Sequence, residues 1–212
     1  MSEIKLLLKT YKAKKREIKS RISDFEKARS MGENTRLGEM AFCICAANSS
    51  AKAAFRAQGE LLGSGLIYSD EHEHLAEVLV KSGVRFHNNK AKYIVSARKK
   101  LFKGGLKRYL ETNKNDLELR DVLAKDISGF GMKEASHFLR NIGLGRNLAI
   151  LDRHILKNLH KYGVIEEIPK SLSAKKYKEI EEKMIEFSKE IKIPASHLDL
   201  LFWSEQTGEI FK

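Results

Sequence analysis

The amino-acid sequence predicts an all-α protein, and three observations support this prediction. Apolar residues recur at helical spacing along most of the chain, and the period-two alternation typical of strands is absent. Only two prolines, Pro169 and Pro194, occur among the 212 residues. Glycine and asparagine mark most of the breaks between helical segments instead. A chain of this length can bury a core without outside help.

Each helix can be placed in order from its apolar residues. The first helix covers about residues 3–25. The second contains the run LGEMAFCICAA, which is almost wholly apolar and is therefore predicted to be central. Further helical patterns cover, in chain order, residues 50–62, 71–82, 89–101, 116–126, 132–142, 153–162, 174–191 and 195–205. The cysteines of the second helix, Cys43 and Cys45, are too few for a zinc or iron-sulfur site and are interpreted as reduced core residues.

The charge of the chain points to an anionic partner. Lys and Arg number 40 against 28 Asp and Glu, which gives a formal net charge of +12. The positive charges are spread along the chain. This distribution indicates that nucleic acid binds to a folded basic surface and not to a disordered basic arm. A protein of the membrane surface is the less favoured alternative. The sequence has no signal peptide and no apolar run long enough to span a bilayer, so we expect an intracellular protein without a membrane partner.

The segment DVLAKDISGFGMKEASHFLRN, residues 121–141, predicts a helix, a tight turn and a second helix. Gly129 and Gly131 free the backbone to turn and to approach a partner closely. Consecutive N–H groups at the start of the second helix suit a phosphate oxygen and are blind to base sequence. We interpret the segment as a DNA-binding helix-hairpin-helix, with a plain corner between two helices as the alternative.

Lys133 and Asp152 are the candidate reactive pair. Lys133 lies in the first turn of a predicted helix, where the helix dipole disfavours a cation. A lysine that attacks carbon must be uncharged, and a helix N-terminus, burial and nearby cations favour that form. Residues 143–151 can extend about 30 Å, whereas the preceding helix is only about 14 Å long, so the chain can bring Asp152 back beside Lys133. Asp152 also precedes a helix, so capping that helix is its alternative role.

These motifs resemble the helix-hairpin-helix DNA glycosylases, the superfamily of endonuclease III. The hairpin with Lys133, and the sequence LDRHI with an aspartate nineteen residues after that lysine, match the superfamily pattern. The form GFGMKEASHFLRN and the ending LDLLFWSEQTGEIFK make the chain most similar to the small archaeal-type 8-oxoguanine DNA glycosylase/lyases. The resemblance covers nearly the whole chain. It implies two helical subdomains with the active site in the cleft between them.

The resemblance also implies how the chain is divided. Residues 1–212 are expected to form a single catalytic domain. Subdomain A would comprise about residues 1–34 plus 127–212, with the hairpin, 126–142, at the junction, and subdomain B would comprise about 35–126.

The function that the resemblance implies is that of a bifunctional glycosylase/AP lyase, which flips 8-oxoguanine out of duplex DNA and excises it. Lys133 would attack C1′, displace the base and form an imine that permits β-elimination. Asp152 would stabilise positive charge developing on the sugar and accept a proton from the lysine. Gly129, Gly131 and His154 would contact the DNA backbone.

The sequence indicates the residues that recognise the base or enter the duplex less clearly than it indicates Lys133 and Asp152. Trp203 is the first choice for a stacking platform, and a core position is its alternative. Asn48, which follows the apolar helix, would enter the duplex where the base leaves. The remaining candidates for base contact are Phe202, Phe86 and Lys212.

We expect no cofactor and no metal. No cysteine quartet follows the hairpin, so an iron-sulfur cluster is not expected, and the two histidines of DEHEH point to different helix faces. The superfamily resemblance allows a monovalent cation at the hairpin carbonyls. The expected partner is double-stranded DNA containing oxidised guanine, bound by a monomer in the cytoplasm and associated with the nucleoid. Three alternatives stay open: a same-fold glycosylase/lyase for oxidised pyrimidines, a non-catalytic helix-hairpin-helix module, and an RNA-binding scaffold.

Overall fold

The computed structural model describes residues 3–112 and 115–210, and all regular secondary structure in these ranges is helical. The α-helices of the described residues are α1 (Glu3–Ala28), α2 (Glu33–Ala46), α3 (Ala51–Gly63), α4 (His72–Lys81), α5 (His87–Leu101), α6 (Gly105–Thr112), α7 (Asp116–Asp126), α8 (Met132–Asn141), α9 (Arg153–Lys161), α10 (Ala174–Glu190) and α11 (Ala195–Thr207). A short 3₁₀ helix covers Leu66–Tyr68. The all-α prediction is confirmed.

The helices form two compact units. The first comprises Met1–Glu26 and Gly145–Lys212, and the second comprises Lys27–Leu144. The hairpin therefore belongs to the second unit, whereas the sequence-based division placed it with the chain ends. The reason is packing: α8 contacts α2 and α7, both of which lie in the second unit.

The second unit is built around α2, as its apolar sequence predicts. Nine consecutive residues of this helix, Leu37–Cys45, are buried. The helix packs against α3, α5 and α8. Cys43 and Cys45 are buried thiols. Burial raises the pKa of the Cys45 thiol to about 12, which suits an inert core residue.

The first unit is organised around α11, which packs against α9 and α10. Its inward-facing residues include Leu198, Leu200 and Leu201, which are all buried. No helix among the described residues has both the length and the apolar character needed to cross a membrane.

Candidate active site

The two glycines of the hairpin differ in how strictly the structure requires a glycine. Gly129 has a φ of +86°, a conformation that costs other residues energy. A Cβ at this position would lie 2.9 Å from Cβ and Cδ2 of Tyr93, so α5 also packs too closely for a side chain there. Gly131 has ordinary extended backbone, with a φ of −101°. Its N–H donates a hydrogen bond to Oε2 of Glu134 at 3.2 Å.

Lys133 is the second residue of α8, as predicted, and Glu134 is its charged neighbour. Lys133 Nζ lies 3.6 Å from Glu134 Oε1, and the two side chains are only 21% and 16% exposed. One carboxylate therefore contacts both the hairpin backbone and the lysine. Sequence reasoning missed Glu134. The sequence did contain a signal for it: Glu134 follows Gly131 by three residues. At this spacing a glutamate can accept a hydrogen bond from the N–H of the residue that precedes the helix.

A second lysine, Lys90 of α5, lies near this pair. Burial lowers its pKa to about 8, and the positive charge of Lys133 acts in the same direction. Glu134 has the opposite, smaller effect on the pKa of Lys90. The start of α8 is therefore a part of the second unit where the charges of Lys133 and Glu134 both act on the pKa of Lys90.

Asp152 caps α9, which is the alternative role that the sequence suggested. Its Oδ1 accepts hydrogen bonds from the N–H groups of His154 at 2.7 Å and Ile155 at 2.8 Å. The other carboxylate oxygen, Oδ2, accepts no hydrogen bond from the part of the chain that the structure describes. Because a cap needs only one oxygen, the second remains for chemistry. Asp152 and Lys133 belong to different units, and their juxtaposition stays a prediction.

The chain that leads to Asp152 is held by two buried side chains of α10. The hydroxyl of Tyr177 donates to the carbonyl of Ala149 at 2.6 Å and accepts from the N–H of Leu151 at 3.2 Å. Oε1 of Glu181 accepts from the N–H of Ala149 at 2.8 Å. Sequence reasoning missed both roles. The available signal was Glu181 itself, a charged residue on the buried face of an amphipathic helix.

His154 and Trp203 are brought together within the first unit. The two rings meet edge to face, with centroids 6.5 Å apart and planes at 82°. Asn158 ties their helices together, because its Nδ2 donates to the carbonyls of His154 at 3.1 Å and Phe202 at 3.0 Å. Nδ1 of His154 is buried and has no hydrogen-bond partner among the described residues. Trp203 is half-buried, so part of its ring reaches the surface.

Phe202 is a core residue in the structure, which corrects its prediction as a base contact. It is fully buried. Its ring stacks on Tyr162 with centroids 5.4 Å apart and planes at 8°. A base would have to displace this stack to reach it. Lys212, the other C-terminal candidate, lies outside the described residues.

Asn48 and Phe86 both protrude from the second unit. Their φ angles are +54° and +58°, which non-glycine residues rarely adopt. Asn48 is exposed, and Phe86 is 57% exposed with the guanidinium of Arg85 5.4 Å from its ring centroid. Phe86 is therefore exposed rather than enclosed by the described residues, and its role in base contact or insertion stays a prediction.

The histidines of DEHEH contact neighbouring carboxylates. Nδ1 of His72 lies 3.2 Å from Oε2 of Glu73, and Nδ1 of His74 lies 3.1 Å from Oε2 of Glu71. Across residues 3–112 and 115–210, no group of three or more His, Cys, Asp or Glu side chains is arranged to hold a metal ion. The expectation that the protein needs no cofactor stays a prediction.

Comparisons with known proteins agree with the motifs. A family model described as 8-oxoguanine DNA glycosylase, Ogg-HhH, matches residues 18–193. The 8-oxoguanine DNA glycosylase/AP lyase of Fusobacterium nucleatum is 44% identical over 208 residues, which cover 96% of this chain and 95% of that relative. These matches confirm the family that the hairpin and the C-terminal sequence predicted.

Two crystal structures are similar over nearly the whole chain. The 8-oxoguanine DNA glycosylase of Thermotoga maritima has a TM-score of 0.88 and 34% identity, and the match covers 99% of this chain and 98% of that one. The 8-oxoguanine glycosylase/lyase of Methanocaldococcus jannaschii, solved with a 15mer DNA containing 8-oxoguanine, has a TM-score of 0.87 and 37% identity, with coverage of 98% and 99%. The chain therefore belongs to the Ogg-HhH family, the family of 8-oxoguanine DNA glycosylases.

Proposed function

We propose that the protein excises 8-oxoguanine from double-stranded DNA and then cleaves the strand at the resulting abasic site. The observation that carries this proposal is the family match over residues 18–193, which includes Lys133, Asp152 and His154. The relative from Fusobacterium nucleatum, named a glycosylase/AP lyase, aligns over 96% of this chain. A net charge of +12 suits a DNA substrate.

Lys133 is the proposed nucleophile. After it loses a proton, its amine attacks C1′ of the flipped nucleotide, so that an N–C1′ bond forms while the bond from C1′ to the base breaks. The departing base takes up a proton, and opening of the sugar ring leaves an imine between Nζ and C1′. Removal of a proton from C2′ then allows the 3′ phosphate to leave, which cuts the strand. The first step makes the protein a glycosylase, and the last makes it a lyase.

Asp152 is the proposed electrostatic partner of this reaction. Its Oδ1 is committed to capping α9, so Oδ2 is the oxygen that would face the reacting sugar. A fixed carboxylate stabilises positive charge as it develops on the sugar, and it can accept the proton that Lys133 releases. Glu134 is a second carboxylate beside Lys133, 3.6 Å from Nζ in the structure.

Backbone phosphates are proposed to bind at the hairpin and at His154. The first turn of α8 presents N–H groups at the positive end of the helix dipole. Because the N–H of Gly131 donates to Glu134, a phosphate takes this donor only by displacing that carboxylate. The Nδ1 of His154, which lacks a partner among the described residues, has hydrogen-bonding capacity for a ligand.

The flipped base and the gap it leaves are assigned to different residues. The exposed part of Trp203 is the proposed stacking platform, and Lys212 is retained as a proposed base contact. Asn48 and Phe86 protrude from the second unit, so we assign them to insertion into the duplex. Inserted side chains replace the stacking that an extruded nucleotide gives up.

The proposal extends to the working state of the protein. It acts as a monomer in the cytoplasm, associated with the nucleoid and without a membrane partner. It requires no cofactor, although the hairpin carbonyls can hold a monovalent cation. Activity that persists in EDTA, and that changes when potassium is replaced by a bulky organic cation, is the expected pattern.

Single-turnover excision tests the proposed function. The wild-type protein is mixed with matched duplexes that contain 8-oxoguanine, thymine glycol or undamaged guanine at one position. We expect base release and strand cleavage only with 8-oxoguanine. Cleavage restricted to thymine glycol would instead assign the protein to oxidised pyrimidines. Binding without cleavage of any duplex would indicate a non-catalytic module, and preferential competition by duplex RNA would indicate an RNA-binding scaffold.

A further inference from the structure

Lys90 is a buried cation to which the proposed mechanism assigns no step. Its side chain emerges from the first turn of α5, and the residue is only 5% exposed. Nζ donates to the carbonyl of Cys45 at 2.9 Å, to Oγ of Ser49 at 3.0 Å and to the carbonyl of Ala47. An ammonium group has three N–H donors, so this arrangement uses all of them. Two of the acceptors lie at the C-terminal end of α2, where the helix dipole favours a cation.

The contacts of Lys90 extend to both protruding residues of the second unit. Asn48 lies between Ala47 and Ser49, the two loop residues that Lys90 binds. Oγ of Ser49 also accepts a hydrogen bond from the N–H of Arg85 at 2.9 Å, and Arg85 directly precedes Phe86. One buried ammonium group therefore connects the loop of Asn48 with the turn of Phe86.

Both protruding residues need such support. A non-glycine residue held at positive φ stores backbone strain and persists only where surrounding contacts determine its conformation. Asn48 and Phe86 are both in this state, and both side chains are directed to solvent instead of being held by the core. Burial lowers the pKa of Lys90 to about 8, so retaining an ammonium group here has an energetic cost. An apolar side chain would avoid that cost but would provide none of the hydrogen bonds.

We propose that Lys90 is a positioning residue, whose ammonium group, directly and through Ser49, holds Asn48 and Phe86 in the conformations that enter the duplex when the damaged nucleotide is extruded. This inference rests on the proposed function. It assigns Lys90 to the extrusion step and not to bond breaking. It also separates the two lysines of this region, since Lys133 forms the covalent bond and Lys90 forms none.

The proposal is tested with three variants. Lys90→Met removes the hydrogen bonds and keeps an unbranched side chain. Ser49→Ala removes the hydrogen bonds that Oγ accepts from Nζ of Lys90 and from the N–H of Arg85, and it is the milder variant if Lys90→Met folds poorly. Arg98→Met is the matched control, because Arg98 is also a buried cation of α5, and it binds the carbonyl of Tyr68 and Asp70, far along the helix from Lys90.

Two substrates separate extrusion from chemistry. One duplex contains 8-oxoguanine, and the other contains a preformed abasic site that has no base to extrude. We expect Lys90→Met to slow 8-oxoguanine release by about tenfold to a hundredfold, while strand cleavage at the abasic site changes by less than about threefold. Ser49→Ala should show the same selective loss, smaller in size. Arg98→Met should lose stability without the selective loss.

The outcomes distinguish this inference from the proposed function. Equal loss on both substrates, or no loss on either, in folded Lys90→Met or Ser49→Ala would overturn the positioning role while wild-type excision still supports the proposed function. A selective loss in Arg98→Met of the same size would also overturn it, because any buried cation of α5 would then have the same effect. Failure of the wild-type protein to release 8-oxoguanine would overturn both.

Discussion

Asp152 combines a structural role, which its hydrogen bonds show, with the catalytic role that we propose for it. Its Oδ1 receives two N–H groups of the first turn of α9, at 2.7 and 2.8 Å, and fixes the direction of the carboxylate. The second oxygen is then available to a substrate. Tyr177 and Glu181 of α10 bind the backbone just before Asp152 in the chain. The position of the carboxylate is therefore fixed in the absence of DNA.

Two substitutions of Asp152 should separate these roles. Asparagine caps a helix about as well as aspartate, so Asp152→Asn should leave the free energy of unfolding unchanged to within about 0.5 kcal/mol. It should slow base release by about a hundredfold, since the carboxylate charge is lost. Asp152→Ala should lose a similar amount of activity and about 1 kcal/mol of stability. Denaturant unfolding and single-turnover kinetics measure the two effects, and a fully active Asp152→Asn would contradict the catalytic role.

Lys90 should produce a characteristic pH dependence of stability. Burial lowers its pKa from the ordinary 10.5 to about 8, so the folded state releases this proton more readily than the unfolded chain. The buried ammonium group lowers the free energy of unfolding by its full amount below about pH 8. This destabilisation decreases as the pH rises towards 10.5. The stability of the wild-type protein relative to Lys90→Met should therefore increase across that window. Urea denaturation at several pH values tests this, and a flat or falling difference would contradict the shift.

The residues found by sequence alone are those whose roles depend on local structure. Lys133 follows a glycine turn and Asp152 follows an apolar run, so each can be placed at a helix start. Lys90 could not be found in this way, because its partners lie 41 to 45 residues away along the chain. Phe202 was misassigned for a related reason: whether an aromatic residue of α11 faces the core or the surface depends on which helices pack against it.

At the scale of elements, the hairpin depends on its two glycines to different degrees. Gly129→Ala should lower the free energy of unfolding by about 1–3 kcal/mol, because the new Cβ meets Tyr93 and the φ is positive. It should also weaken DNA binding, since the turn must move. Gly131→Ala is the control: its Cβ would lie 3.1 Å from the flexible carboxylate of Glu134, and the cost should be about 1 kcal/mol or less. Thermal unfolding and filter binding measure both effects, and equal losses would contradict this account of the turn.

Most helices could be predicted from apolar periodicity, and the omissions have a physical explanation. The predicted 116–126 corresponds to α7, Asp116–Asp126, and 132–142 ends one residue beyond α8. By contrast, α6 was missed. This helix has only eight described residues and begins with a glycine, so its apolar pattern covers too few turns to be separated from a loop by sequence. The 3₁₀ helix at Leu66–Tyr68 is too short to have a period at all.

At the scale of the whole molecule, the chain divides into two units whose boundaries follow packing and not motif order. The family resemblance implied a boundary near residue 127, which placed the hairpin in the same subdomain as Asp152. The structure assigns α8 to the second unit, since its buried residues contact α2 and α7. Sequence patterns identify each amphipathic helix, but they do not say which neighbours its apolar face will meet.

The net charge of the molecule, +12, should make DNA binding strongly dependent on salt. Each phosphate neutralised by a lysine or arginine releases condensed counterions, so affinity for a lesion-containing duplex should fall by about 10³-fold or more between about 50 and 200 mM salt. The rate of base release from saturated complexes should change far less, because the chemistry takes place after binding. Fluorescence anisotropy at several salt concentrations tests this prediction. An affinity that does not depend on salt would contradict binding through the basic surface.

The proposed mechanism requires that Lys133 form an imine with the sugar from which 8-oxoguanine has been released. Borohydride trapping tests it most directly, using wild-type protein and Lys133→Gln with duplexes that contain 8-oxoguanine, thymine glycol or no lesion. We expect a covalent protein–DNA adduct with the 8-oxoguanine duplex, and we expect no such adduct with Lys133→Gln. An adduct that persists in Lys133→Gln, or no adduct with any duplex despite tight DNA binding by the wild-type protein, would contradict it.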